Sequence, residues 1–490
     1  MRNNIIIIGS GIAGMAAGIR LASAGFEVTI FEVNDHPGGK VFQIKDFGYR
    51  FDAGPSLFTL PELLDELFEL VNKDRKEYIN YFRTPVTCKY FFEDHTTIKA
   101  YTEADKFKHE VDKSGINSNY LENYLDHNRF VFNNISGMFL HKSIHKISTF
   151  LNFHTLKSLL KLPKYRIFKS VHNVNKHFLK NKRLIQIFDR YVTYGGSDPY
   201  KAPGILTLIS HLENNLGAYM FEGGMYNLAP ALYELACDVG VKFEFNLKVD
   251  KIILKNKQAI GVIVDEKEIF SDYVVSNADV YYTYKNLLSD YTLSNIYLKQ
   301  PLSLSAIVFY WGIKSMFDEL ELHNVFFSED YKAEFDTIFK KQEVYHDPSI
   351  YIYISSKVQP QDAPQNHENW YVSVYVPSNT GQNWDLYIKK VRKYVTDKIS
   401  RILKTNIEPL IDFEKVDDPR IIEKYTSSYK GALYGPNSNK KLSAFLRHPN
   451  FSSKIKGLYF CGGTVHPGGG IPLCLLSSKI VSEFITKDKQ

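Results

Sequence analysis

Apolar residues run unbroken through Ile5-Ile6-Ile7-Ile8 and then give way to Gly9-Ser10-Gly11-Ile12-Ala13-Gly14. A short apolar run closed by glycine predicts a strand buried on both faces. Met15 to Ala24, rich in Ala, Leu and Ile, predicts a helix, and Phe26 to Phe31 a second strand that delivers Glu32. Farther on, Leu228 to Asp238 reads as a helix, followed by strands over Val241 to Phe245, Gln258 to Asp265 and Tyr273 to Ala278. Cys88 to Glu93, Thr97 to Tyr101, Leu304 to Gly312, Ile350 to Ser355 and Tyr371 to Val376 read as further strands, several alternating with period two. Tyr351 with Tyr353, or Tyr371 with Ser373 and Tyr375, then share one face, which is either an aromatic cavity wall or ordinary core. Pro61 to Asn72 predicts a helix with proline in its first turn. Near the end, Gly457 to Gly463 reads as a buried strand ending in glycines, and Leu473 to Ile485 as a helix preceded by Pro472.

The glycine spacing turns this pattern into chemistry. In Gly9-x-Gly11-x-x-Gly14 the first glycine allows the tight turn and the second lets a pyrophosphate approach the backbone. The third lets the helix pack closely on the sheet, with its N-terminus facing the phosphates. Glu32 stands where an acid accepts ribose hydroxyls, which argues against a 2′-phosphate and hence against NADP. Strand, turn, helix, strand and acid in register predict a dinucleotide site. A second glycine doublet at Pro37-Gly38-Gly39-Lys40-Val41 and the segment Gly48 to Ser56 have no use in an NAD site. The C-terminal loop His466-Pro467-Gly468-Gly469-Gly470-Ile471-Pro472 aims a helix start at negative charge, as a reduced flavin requires. Three glycine-rich loops in this order make FAD the economical reading.

With these motifs, Gly48 to Pro61, Tyr194-Gly195-Gly196-Ser197, Gly223-Gly224-Met225, Val275 to Asp279 and Tyr434-Gly435-Pro436, the chain resembles a carotenoid desaturase of the phytoene desaturase family. That family lies in the FAD-dependent, amine-oxidase-like superfamily, and the resemblance covers nearly the whole length. It implies FAD contacts at Gly9, Gly11, Ile12, Ala13, Gly14, Glu32, Val33, Gly38, Gly39, Lys40, Val41, Gly54, Pro55, Ser56, Val249, Gly462, Gly463, Gly470, Ile471 and Pro472. The family's usual Arg-x-Gly-Gly-Arg is here His36-Pro37-Gly38-Gly39-Lys40, so a point charge replaces a forked guanidinium near the phosphates. The His466 to Cys474 loop resembles the branch that desaturates C3–C4 of 1-hydroxylated acyclic or monocyclic carotenoids such as hydroxy-γ-carotene. Phytoene desaturase is the first rival. An amine oxidase is the second, opposed by Gly463 where amine oxidases usually carry an acid. A flavin-free prenyl-lipid-binding protein of the GDP-dissociation-inhibitor type is the third.

At 490 residues the chain is too long for one core. The expected fold class is α/β (α+β): a discontinuous Rossmann-type FAD-binding domain (1–71, 221–289 and 412–490) with a mixed-sheet substrate domain (72–220 and 290–411). Four irregularly spaced cysteines fit neither a zinc site nor a disulfide framework, and suit a reducing cytoplasm. Met1-Arg2-Asn3-Asn4 and the apolar run after it are too brief for a signal peptide. No stretch approaches about 20 apolar residues, as a transmembrane helix needs.

The net charge of +6 conceals an asymmetry: His127 to Phe188 carries twelve Lys or Arg and no acid. Interleaved apolar residues, among them Phe139, Ile144, Ile147, Leu151, Phe153, Leu156, Leu159, Leu160 and Phe168, recur at helical spacing. A basic face beside an apolar one suits an anionic membrane surface, so a peripheral membrane enzyme is expected. A solvated cap helix with its apolar side turned inward is the plain alternative. Nucleic acid is excluded as a partner because no recognised module accompanies the charge.

Desaturation removes a hydride and a proton from adjacent carbons. Flavin N5 takes the hydride, and the conjugated polyene delocalises the cation left behind, so no strong base is demanded. The sequence accordingly holds no Ser/His/Asp set, carboxylate pair or metal cluster. His466 is the one titratable side chain in a flavin-adjacent motif: it is the candidate proton acceptor, the plain alternative being a histidine that orients the loop. The electron acceptor, oxygen or a quinone, stays open, as does the buried polar partner that a terminal hydroxyl would require.

Overall fold

The computed structural model describes residues 3–146, 149–150, 157–158, 160–289, 299–440 and 447–489. The four isoleucines form the centre of a five-stranded parallel sheet, ordered Leu458–Phe460, Tyr273–Ser276, Asn4–Ile8, Glu27–Phe31 and Lys242–Glu244. Alternation explains the unbroken apolar run. Ile5 and Ile7 pack into the core that holds the helices Ile12–Ser23, Leu228–Asp238 and Ile471–Lys489. Ile6 and Ile8 point the other way, into a core shared with the antiparallel meander Val249–Lys255, Gln258–Val264 and Lys267–Phe270. The first helix starts at Ile12, inside the glycine motif, and Val249 heads a strand of its own.

The second layer is a seven-stranded sheet ordered Ile411–Asp417, Ser305–Ile313, Glu368–Val376, Ile350–Tyr353, His323–Phe326, Val86–Phe91 and Thr97–Tyr101. All neighbours are antiparallel except His323–Phe326 with Val86–Phe91. Two of its strands had no sequence counterpart. His323–Phe326 is only four residues long and two of them are polar, so no period shows. Ile411–Asp417, expected to open the last cofactor segment, pairs with Ser305–Ile313 instead. One face of this sheet packs Trp311 and Trp370 against Trp384 and Val391 of the helix Trp384–Leu403. The other face turns toward the parallel-sheet layer and is lined in part by tyrosine.

Helices cover the far side of this space. The basic stretch is not one amphipathic helix among the described residues. It comprises the end of Asn119–Phe139, a 3-10 turn at Leu162–Tyr165 entered at Pro163, and the helices Val171–Leu179 and Lys182–Asp189. Ile147, Leu151, Phe153, Leu156 and Leu159, expected on the apolar face, lie outside the described residues. Leu160 and Phe168 are exposed, at 84% and 74%, beside exposed Lys164 and Lys169. No helix among the described residues is long and apolar enough to cross a membrane.

Candidate active site

The fingerprint turn leaves the strand at Gly9, whose N–H donates to the Phe31 carbonyl at 2.8 Å, so the two parallel strands end together. A Cβ at Gly14 would stand 2.3 Å from the Gly9 carbonyl oxygen, which fixes how closely the helix approaches the turn. The first intrahelical bond runs from Met15 N to the Gly11 carbonyl, so the N–H groups of Ile12, Ala13 and Gly14 precede the ladder and face an anion-binding position. The Glu32 carboxylate is buried at the strand end. It accepts from Ser10 N and Oγ (both 2.8 Å) and from Asn34 N and Nδ2 (3.0 and 2.9 Å).

The second doublet closes on the first. Gly38 N donates to the Ser10 carbonyl at 3.0 Å, and a Cβ on Gly39 would sit 3.2 Å from the Gly11 Cα. Gly54, at φ +116°, passes so near Lys40 that a Cβ would lie 2.0 Å from its carbonyl oxygen. Lys40 Nζ donates to the Leu433 carbonyl at 2.8 Å, and burial lowers its pKa, opposed by the nearby Asp279 and Cys474. Asp279 caps Tyr281 N and Tyr282 N through one oxygen while the other has no partner among the described residues. Burial raises the pKa of this acid.

The C-terminal loop supplies the third wall. Cys474 N bonds to the Gly470 carbonyl, so the helix start at Ile471 is presented in the same way as the first. The loop is held from behind by Arg447, which sequence reasoning missed. Its guanidinium donates to the carbonyls of Tyr434 (3.1 Å), Gly463 (3.2 Å) and Pro436 (3.2 Å), and it makes no ion pair among the described residues. Burial without a counter-charge lowers its pKa to about 10, so it stays charged at neutral pH.

These loops open on one cavity of about 840 Å³. Of the residues expected at the cofactor site, all but Gly14 line it. Gly14 lies beneath the turn and sets its geometry. Glycine-relieved backbone, two helix starts and a buried acid at a strand end together suit a dinucleotide that carries a pyrophosphate and a ribose. His466 is not on the cavity wall. It is fully buried, its Nε2 lies 2.9 Å from the Lys142 carbonyl, and its ring meets Phe139 and His145 edge-on. Burial depresses its pKa to about 3, so the imidazole is neutral and acts as packing behind the loop.

Beyond the loops the same cavity runs along the antiparallel sheet. Tyr371, Ser373 and Tyr375 line it while Trp370, Val372, Val374 and Val376 are buried on the opposite face. The aromatic-wall alternative therefore holds for that strand. Tyr351 also lines the cavity, with its hydroxyl 2.6 Å from Ser56 Oγ and 2.8 Å from His323 Nδ1. Tyr353 does not; its hydroxyl donates to Asp52 at 3.0 Å. Leu206, Leu208, Ile209, Leu212, Val192 and Phe139 complete a largely apolar lining, into which Arg190 also projects.

Residues 12–485 match the family of flavin containing amine oxidoreductases. The chain is 48% identical to a 1-hydroxycarotenoid 3,4-desaturase of Flavobacterium sp. (strain P99-3), over 98% of each chain. It is 32% identical to a 4,4'-diaponeurosporene oxygenase of Staphylococcus aureus (strain MSSA476), over 99% of this chain and 98% of the relative. Among solved structures it shares its fold with an oxidoreductase from Methanosarcina mazei (TM-score 0.65, 14% identity, 98% and 100% covered). A redesigned putrescine oxidase is similar in fold as well (TM-score 0.64, 12% identity, 99% of each chain covered). The chain belongs to the flavin containing amine oxidoreductase family, on its carotenoid-desaturase branch, and is an FAD-dependent oxidoreductase.

Proposed function

We propose that this enzyme introduces a C3–C4 double bond into a hydroxylated acyclic or monocyclic carotenoid, such as a hydroxy-γ-carotene, working at a membrane surface. The observation that carries this reading is the continuity of the cavity. The glycine loops and the tyrosine-lined sheet face share one space, so a long apolar chain entering along Tyr371 and Tyr375 reaches the loops of Gly54 and Gly470. The similarity to a 1-hydroxycarotenoid 3,4-desaturase supports the choice of bond.

When bound, FAD supplies the hydride acceptor, at N5 of its ring. Gly11, Gly39 and the helix start at Ile12 would hold its phosphates, the helix start at Ile471 would face its reduced ring, Glu32 would hold its ribose, and Val249 its adenine. The protein's own work is burial and orientation. Apolar wall residues hold the polyene at about 25 cal/mol per Å² of apolar surface removed from water. Of the cavity's carboxylates, Glu32 is engaged by Ser10 and Asn34 and Asp417 by the Tyr310 hydroxyl at 3.0 Å, while one oxygen of Asp279 has no partner among the described residues. The proton lost beside the hydride would pass to water, because a polyene-stabilised cation demands no strong base of the wall. The substrate resides in a bilayer. Exposed Leu160 and Phe168 beside Lys164 and Lys169 support a membrane-facing entrance on the cytoplasmic side, with oxygen or a quinone reoxidising the enzyme.

An anaerobic reduction experiment tests the reading. Adding a 1-hydroxylated carotenoid in liposomes to the holoenzyme should bleach the visible flavin band, while putrescine leaves it unchanged. Bleaching by the amine alone would return the protein to the amine oxidases.

A further inference from the structure

Arg190 is a cation of the cavity wall whose donors are only partly engaged among the described residues. Arg190 begins the 3-10 segment Arg190–Gly195, and its side chain is only 9% exposed. Its Nη2 donates to the Tyr90 hydroxyl at 3.1 Å, and Nε, although buried, has no acceptor among the described residues. The rings of Tyr90, Tyr191 and Tyr194 surround the guanidinium, with centroids 5.1–5.5 Å from its carbon. Guanidinium carries five N–H donors and no acceptor, so part of its donor capacity faces an apolar cavity.

Glu213 supplies the opposite charge. It is 1% exposed, with Oε1 4.0 Å from Arg190 Nη2. Its two oxygens accept from the hydroxyls of Tyr191 (2.9 Å) and Tyr194 (2.8 Å). The pair is therefore neutral as a unit. A pocket built on an unpaired arginine would select a carboxylate; a neutralised one favours an uncharged acceptor such as a hydroxyl oxygen. Tyr194 lines the same wall and has committed its proton to Glu213, so toward a ligand its oxygen only accepts. One donor and one acceptor side by side match the two capacities of an alcohol.

The position fits as well. The Arg190 charge acts on both Tyr351 and His323, and Tyr351 bonds to Ser56 in a loop expected beside the flavin ring. A hydroxyl at C1 lies only a few bonds from C3 and C4, so its partner and the reacting centre have to be neighbours. We propose that Arg190, neutralised by Glu213, donates a hydrogen bond to the oxygen of a hydroxylated polyene end and sets the preference for such ends over plain hydrocarbon ones. This rests on the carotenoid reading above.

The test compares kcat/KM of the holoenzyme for a 1-hydroxylated γ-carotene and for γ-carotene itself. Wild type should favour the alcohol by about tenfold to a hundredfold, the range of one charge-assisted hydrogen bond. Arg190→Met should bring the ratio to about one by losing the alcohol's advantage, with the flavin spectrum kept. Because that variant leaves Glu213 as an unpaired buried charge, the double variant Arg190→Met/Glu213→Gln is measured beside it. A ratio that persists in either flavin-loaded variant overturns the proposal, as does a wild type without preference that still turns both over. If wild type converts neither carotenoid, the carotenoid reading itself falls.

Discussion

His466 shows how a motif residue can be legible in sequence while its surroundings are not. It sits in the most specific loop of the chain, yet its ring lies against Phe139 and His145 with its Nε2 at the Lys142 carbonyl. Burial holds its pKa near 3 against about 6.5 in the unfolded chain. The stabilising contribution of this neutral imidazole is full above pH 6.5. It is lost as pH falls from 6.5 toward 3, because only the unfolded chain takes up the proton. The stability gap between wild type and His466→Asn should therefore narrow by about 2 kcal/mol between pH 7 and pH 5, as measured by chemical denaturation. Turnover of the variant should show no loss of a titrating base in its pH profile. A constant gap, or a vanished acidic limb in kcat, would restore His466 to the chemistry. The glycines were readable because their spacing is local. Arg447 was not, since its three carbonyl partners come together only in the folded chain.

The strand Glu368–Val376 divides its work between two faces, and that division was visible as period-two alternation. Which face met the cavity was not, because the choice depends on the helix Trp384–Leu403 occupying the other side. Ser373→Phe should leave the fold and flavin content intact, with stability changed by less than about 1 kcal/mol. It should lower kcat/KM for a long carotenoid at least tenfold by narrowing the cavity. Val374→Asp, which points into the fully buried face, should fail to fold. Unimpaired turnover by Ser373→Phe, assayed by chromatography, would remove this strand from the substrate path. The short strand His323–Phe326 escaped sequence reading because its buried His323 and Asn324 are satisfied partly by tertiary contacts such as the Tyr351 hydroxyl. The helical spacing of the basic stretch was legible, but not its division into several short helices with a break at Pro163.

At the scale of the whole molecule, two sheets frame one cavity, with the glycine loops and a tyrosine-lined sheet face on its wall. Exposed Leu160 and Phe168 mark one outer side of the helical layer. Lys157, Lys164 and Lys169 are exposed there, whereas Lys161 is engaged with the Asn134 side chain at 2.6 Å. Replacing those three exposed lysines with Gln should weaken binding to anionic liposomes and reduce its salt sensitivity, at about 1 kcal/mol for each cation near the surface. Salt-independent partitioning unaffected by the change would place the membrane contact elsewhere. The central claim concerns what enters the cavity, and a paired turnover assay tests it most directly. Holoenzyme in liposomes receives phytoene in one sample and a 1-hydroxylated γ-carotene in the other, with products followed by chromatography and red-shifted absorption. Conversion of the hydroxylated carotenoid alone, with loss of two hydrogens, is the expected result; conversion of phytoene instead would contradict it.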